Sequence, residues 1–308
     1  MIPNLQDIDS VAIFGSVARR DNDNLSDYDM LLVCEDRKSL IRGAYLLEKV
    51  GWSCTRYSWS QINRVAERQT LFLQHLKQEA IVIKDKHGRL TDFLNAFNPK
   101  VDYFDEAEEA MKLLSLLSVI PKSIAGRLWA LDVLMVGFRS LAVATLANEG
   151  DYCFSLLSIL RGLERLGILQ SSDIAALLRL RRYKRYYRDQ QWNQVIDWSE
   201  VYGLIDIIDQ RFCIGLDVSC SPFWKVVDCA IATPSSLLKN WYIASRRAEA
   251  ALLCLYLDPR SVDEEVIKQK LRLQERISIP SDYGWYFSHQ YNEVKQHLMY
   301  FAEFAYLA

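Results

Sequence analysis

Residues 11–33, VAIFGSVARRDNDNLSDYDMLLV, decide how this chain is read. VAIF is a short apolar run of strand type and Gly15-Ser16 is a turn. A polar loop follows, and then a second buried-strand run, 28–34, entered through Asp27 and Asp29. Residues two apart on a strand project to the same face, so this pattern predicts two carboxylates side by side. Two anions so placed repel unless a cation sits between them. Hard oxygen donors suit Mg²⁺, which also binds substrate phosphates. Gly15 lets a backbone come close to a ligand, and Ser16 offers a hydroxyl at the start of the next turn. The plainer alternative is an exposed strand behind a polar turn.

The layout resembles the DNA polymerase β-like nucleotidyltransferase superfamily. Its signature is Gly-Ser after a strand, about ten residues, and Asp-x-Asp on the next strand. Here Gly15-Ser16, the loop 17–26 and Asp27-Tyr28-Asp29 carry the likeness. The resemblance implies that Asp27 and Asp29 are the catalytic carboxylates and bind Mg²⁺ or Mn²⁺. It implies that Gly15, Ser16 and the backbone after them hold the phosphates of an NTP, with ATP the expected one. A nucleoside monophosphate would pass to a hydroxyl acceptor, with pyrophosphate released. The acceptor would be a small molecule, an RNA end such as that of tRNA, or a protein. Bacterial relatives of this type serve in resistance, toxin–antitoxin pairs and phage defence, which adds a protein partner to the expectations.

Arg19 and Arg20 follow the turn and could reach phosphate oxygens; a solvated pair at a helix start is the other reading. Asp21 and Asp23 read as turn formers. The resemblance also calls for a third carboxylate on a neighbouring strand. The segment expected to carry it, WSCTRYSW at 52–59, holds no acid, and by position Thr55 stands where the aspartate belongs. Nearby acids are Glu48, Glu67, Glu79 and Asp85, the last at a strand end where a cap or turn role fits. A protein with only two carboxylates could bind nucleotide as a sensor or regulatory subunit without turning it over.

The chain has 308 residues, enough for two domains. Half the residues are hydrophobic and 25% are charged, a globular composition with a formal net charge of −2. That balance argues against broad nucleic-acid binding. The cysteines, Cys34, Cys54, Cys153, Cys213, Cys220, Cys229 and Cys254, show no CxxC spacing, so neither a zinc site nor a disulfide framework is indicated. The opening MIPNLQDIDS has no basic-then-apolar leader pattern. The longest apolar stretch, 128–147, contains Asp132 and Arg139 and reads as a buried helix, so a cytoplasmic protein without a membrane span is expected.

The pattern of elements predicts strands at 11–14, 28–34, 52–59 and 81–83, with helices at 39–50 and 60–76. Lys86-His87-Gly88 is a turn, and Asn98-Pro99 closes the unit. Helices are predicted at 105–119, 122–148, 155–166, 171–189, 233–257, 261–277 and 287–306, the sixth with a Ser261–Glu264 capping box. The expected fold is α+β. A small mixed β-sheet nucleotidyltransferase domain at 1–100, with helices on one face, precedes an all-α helical-bundle domain at 101–308.

In the helical part, Arg181, Lys184, Arg185 and Arg188 recur at i, i+3, i+4 and i+7 and share a face, with Tyr183, Tyr186 and Tyr187 interleaved. Lys184 and Arg188 could hold a triphosphate or an RNA acceptor. The equal alternative is a solvated face whose tyrosines anchor it to the core. Asp132 and Arg139 lie seven apart on the long helix and need partners on other helices. His75, His87, His289 and His297 form no metal pattern, and Trp241, Tyr242 and Trp285 could shape an acceptor pocket without anything selecting them.

Overall fold

Two antiparallel strands, β1 (Ser10–Phe14) and β2 (Tyr28–Val33), form the centre of a four-stranded mixed sheet. A single turn of helix, α1 (Ser16–Arg19), lies between them. The chain then runs through α2 (Arg37–Glu48), β3 (Trp52–Tyr57), α3 (Trp59–Glu67), α4 (Leu71–Glu79), β4 (Ile81–Asp85) and α5 (Arg89–Ala96). Strand order is β3-β2-β1-β4, with β3 parallel to β2 and β4 antiparallel to β1. In this computed structural model the described residues are 5–191, 193–231 and 241–257.

Helices cover both faces of this sheet, where the sequence predicts one. The reason is in the strands. Met30, Leu31, Leu32 and Val33 are all fully buried, as are Val11 and Ala12, so neither face of the central pair tolerates water. On one face Val11, Met30, Leu32 and Cys54 pack with Leu40, Ala44 and Leu47 of α2. On the other, Ala12, Phe14, Leu31 and Val33 pack with Trp59 and Ile62 of α3, Leu73 and Leu76 of α4, and Leu90 and Leu94 of α5. Predicted helix 60–76 is two helices, because Gln69 takes a left-handed backbone (φ 47°) and stops the first. Ser58 and Gln61 form a capping box at the start of α3.

Asp85 has the cap role expected of it. Its carboxylate accepts the N–H groups of Leu90 and Thr91 in the first turn of α5, and the hydroxyls of Thr91 and Ser10. Partial burial works against its charge, but these bonds outweigh it and keep the carboxyl below its ordinary value.

Beyond α5 come α6 (Phe104–Leu114), β5 (Ile120–Pro121), α7 (Ile124–Asn148), α8 (Leu156–Arg165), α9 (Ser171–Leu178) and α10 (Leu180–Arg188). They are followed by α11 (Trp198–Phe212), β6 (Cys220–Ser221), α12 (Phe223–Ile231) and α13 (Trp241–Leu257). The sequence places the domain boundary near residue 100. By packing, residues up to Phe104 group with Val143–Gly162, and Asp105–Ala142 groups with the described residues from Leu163 onward. In the first group the Asn148 side chain accepts the Tyr103 N–H at 2.6 Å, and Phe154 stacks on His75.

The second group is not the all-α bundle that the sequence predicts. Strands β5 and β6 pair in parallel, with α12 and α13 packed on β5. Helix α7 is the one helix among the described residues long and apolar enough to cross a membrane, and 78% of its most apolar window is buried within the protein. Its Asp132 finds the predicted partner: Arg246 of α13 donates to Asp132 Oδ2 at 2.7 Å and also meets Glu249 at 2.8 Å, all three buried. The predicted helix 171–189 bends into α9 and α10 at Arg179. The Thr233-Pro234 start, the capping box at Ser261 and Glu264, the helices at 261–277 and 287–306, His289, His297 and Trp285 lie outside the described residues.

Leu31→Ala, which empties a site sealed from both sides, lowers unfolding stability by about 2–5 kcal/mol in denaturant melts. Arg246→Met leaves two buried carboxylates without their guanidinium and costs about 3–5 kcal/mol by the same measurement. Asp85 stabilises the fold above its ordinary pKa of 3.8 and loses that contribution as pH falls through its lower folded value. Asp85→Asn therefore flattens the acid side of the stability–pH curve, read from melts across acid buffers.

Candidate functional site

The turn after β1 is fixed by its first residue. Gly15 has φ 72° and ψ −149°, a region open in practice to glycine alone. A Cβ there would sit 2.9 Å from Asp29 Oδ2. The side chain of Asp29 therefore occupies the space a larger residue would claim. The strand register explains the meeting. Asp29 lies directly across from Phe14 on β1, so its carboxylate reaches the residue that follows.

Asp27 comes just before β2, and its carbonyl accepts the Ser16 hydroxyl at 3.4 Å. The structure thus brings Gly15, Ser16, Asp27 and Asp29 together where β1 ends and β2 begins. Both aspartates are partly buried. The intervening loop is shaped by Asp23, whose carboxylate takes the Leu25 N–H and the Ser26 hydroxyl, as a turn former does.

Arg19 ends α1 with its guanidinium on two carboxylates, donating to Asp21 at 3.1 Å and to Glu79 of α4. Partial burial opposes its charge, and the bonds and attraction of Asp21 and Glu79 more than offset that. Arg20 has a left-handed backbone (φ 62°) that closes the short helix.

Strand β3 offers no acid. Ser53 is in register with Asp29 and Thr55 with Leu31, so the position beside Asp29 is filled by Ser53. Glu48 and Glu67 are exposed at helix ends. Asp85 is a cap, and Glu79 accepts from Arg19 and bonds His75. Among the described residues no group of three His, Cys, Asp or Glu side chains is placed to hold a metal ion. Two carboxylates still match Mg²⁺ that arrives with phosphate oxygens as its remaining ligands. Two such donors alone are too few to hold a bare ion. Cys54, whose thiol burial pushes up to about 12 with Glu48 nearby, is no nucleophile.

Lys184 and Arg188 lie on α10, in the second group of elements. Tyr183 and Tyr187 of that helix are buried, and their hydroxyls donate to Glu200 and Glu249. Burial, with Glu249 beside it, drives the Tyr187 phenol well above its ordinary value. Arg185 pairs with Asp189 at 2.6 Å, and Arg188 approaches Asp132 at 3.9 Å. Tyr183 and Tyr187 anchor the helix to the core, and Tyr186 is partly buried. Helices α11 and α12 have no counterpart in the sequence reading, although Val201, Leu204, Ile205 and Ile208 of α11 carry the helical spacing that could have shown it.

Comparison with protein-family models, curated proteins and solved structures finds no match to this chain.

Gly15→Ala must move Asp29 and strain the turn, lowering stability by about 1–3 kcal/mol in denaturant melts. Asp29→Ala in the same chain relieves the clash, so the two substitutions together cost less than the sum of each alone.

Proposed function

We propose that the first group of elements is a nucleotidyltransferase domain of the polymerase β-like kind, acting on a metal-bound NTP. The observation that supports this most is the seating of the Asp29 carboxylate against Gly15, with Ser16 joined to Asp27 beside it. A chain that needed only a strand turn here would not require a glycine-only backbone to make room for an acid.

In this reading Asp27 and Asp29 hold Mg²⁺ or Mn²⁺, completed by phosphate oxygens. The metal supplies charge neutralisation on the phosphates and a lower pKa for an attacking hydroxyl. Gly15 lets the backbone approach the phosphates, and the Ser16 hydroxyl can turn from the Asp27 carbonyl toward a phosphate oxygen. The chain's part is positioning and electrostatics. The acceptor is a hydroxyl of a small molecule, an RNA end or a protein.

One observation favours a second reading, a nucleotide sensor that binds without transfer. The strand beside Asp29 presents Ser53 and Thr55, and Glu79 is engaged by Arg19 and His75.

The readings part in one assay. The protein is incubated with each NTP, Mg²⁺ or Mn²⁺, and a pool of acceptors including tRNA and the protein itself. Transfer predicts pyrophosphate release that falls at least about a hundredfold in Asp27→Ala and in Asp29→Ala, the scale of losing a key electrostatic group. Nucleotide binding with no release favours the sensor, and neither binding nor release removes both.

A further inference from the structure

Helix α1 is one turn long and buries none of its residues. A helix this short does not stand by itself, so its place must be set by contacts beyond it. Its own ladder is brief: the N–H groups of Arg19, Arg20 and Asp21 reach the carbonyls of Gly15, Val17 and Ser16. The Ser16 hydroxyl bond to Asp27, at 3.4 Å, is long. Beyond its packing against β1 and β2, α1 is tied down through Arg19, and Arg19 leads to a built assembly.

Glu79, at the end of α4, has a side chain only 12% exposed. Its Oε2 accepts Arg19 Nη1 and lies 2.8 Å from Nε2 of His75, one helical turn earlier on the same helix. His75 is in turn locked by rings. It stacks on Phe154 at 4.5 Å and meets the Phe14 ring edge-on at 5.7 Å. Phe14 is the residue before Gly15. The assembly closes on itself: β1 delivers the turn, Phe14 braces His75, His75 orients Glu79, and Glu79 grips the far end of the turn through Arg19. Arg19 itself is only 23% exposed, and the carboxylate it meets is more sheltered still.

We propose that Glu79 is a positioning residue for the Gly15–Ser16 turn. It acts through Arg19, which serves as a strut and not as a phosphate ligand. The role of the turn in nucleotide binding rests on the reading given above, whereas the mechanical role of Glu79 does not.

Two measurements on the 308-residue chain decide it. The first is amide hydrogen exchange. Glu79→Gln keeps the shape and removes the charge, and it speeds exchange of the Arg19, Arg20 and Asp21 amides about tenfold, the loss expected of one charge-assisted bond, while Met30 to Val33 stay as in the parent. Unchanged exchange in the turn overturns the proposal. So does a rise shared equally by β2, which would mean general loosening.

The second is calorimetric binding of Mg²⁺ with a non-hydrolysable ATP analogue. A strut predicts that Arg19→Ala and Glu79→Gln weaken binding alike, and that the double variant is no worse than either. It also predicts that Glu79→Asp recovers part of the loss. If Arg19 were a phosphate ligand, Glu79→Gln would release it and leave binding equal or tighter, and only Arg19→Ala would weaken it; that outcome overturns the proposal. If the parent binds no nucleotide at all, the functional reading fails, and the exchange result alone then decides the part played by Glu79.

Discussion

The close approach of the Asp29 carboxylate to Gly15 is the constraint on which the candidate site depends. It is a consequence of pairing. Antiparallel β1 and β2 put Asp29 opposite Phe14, so the acid must look onto whatever residue begins the turn. Any Cβ there would overlap it. The pairing is itself held by burial on two sides, since a slip of one residue would exchange the faces of Met30, Leu31, Leu32 and Val33 and carry Asp29 to the wrong one. The approach of Asp29 to Gly15 thus rests on the apolar run that follows it in β2.

The acids of this fold are sorted by what surrounds them. Asp85 and Asp23 satisfy backbone N–H groups at turns and helix starts. Asp132 and Glu249 are buried on a buried arginine, an arrangement that costs much desolvation and is stable only while all members remain. Glu79 is engaged by a histidine and an arginine. Asp27 and Asp29 differ from all of these in standing two residues apart at the mouth of a strand pair, next to a glycine. That location, more than their charge, is why the function is proposed there.

Much of the first group was legible because its signals are local. The apolar runs at 11–14 and 28–34, the glycine turn and the acid spacing each follow from the residues alone. Asp85 as a cap and Asp132 as half of an ion pair were legible too, since a strand-end acid needs N–H donors and a buried one needs a cation. Other features were hidden by physical circumstance. Two-sided cover of the sheet is a tertiary fact, although the unbroken run Met30 to Val33 pointed to it. The split at Gln69 depends on a left-handed backbone that glutamine does not advertise. The grip of Glu79 on Arg19 joins residues sixty apart in the chain, and no spacing rule reaches that far. The basic face of α10 was ambiguous because tyrosines that stack on bases and tyrosines that anchor a helix have the same spacing; only burial, a tertiary fact, shows Tyr183 and Tyr187 to be anchors.

Asp27 and Asp29 are proposed to hold a divalent metal only together with a nucleotide's phosphates. Water proton relaxation in a Mn²⁺ titration tests it most directly. The account predicts little enhancement with Mn²⁺ alone, strong enhancement when ATP is added, and loss of that ternary signal in Asp27→Asn and in Asp29→Asn. Enhancement that persists in both variants, or an ATP-independent signal of equal size in the parent protein, would contradict it.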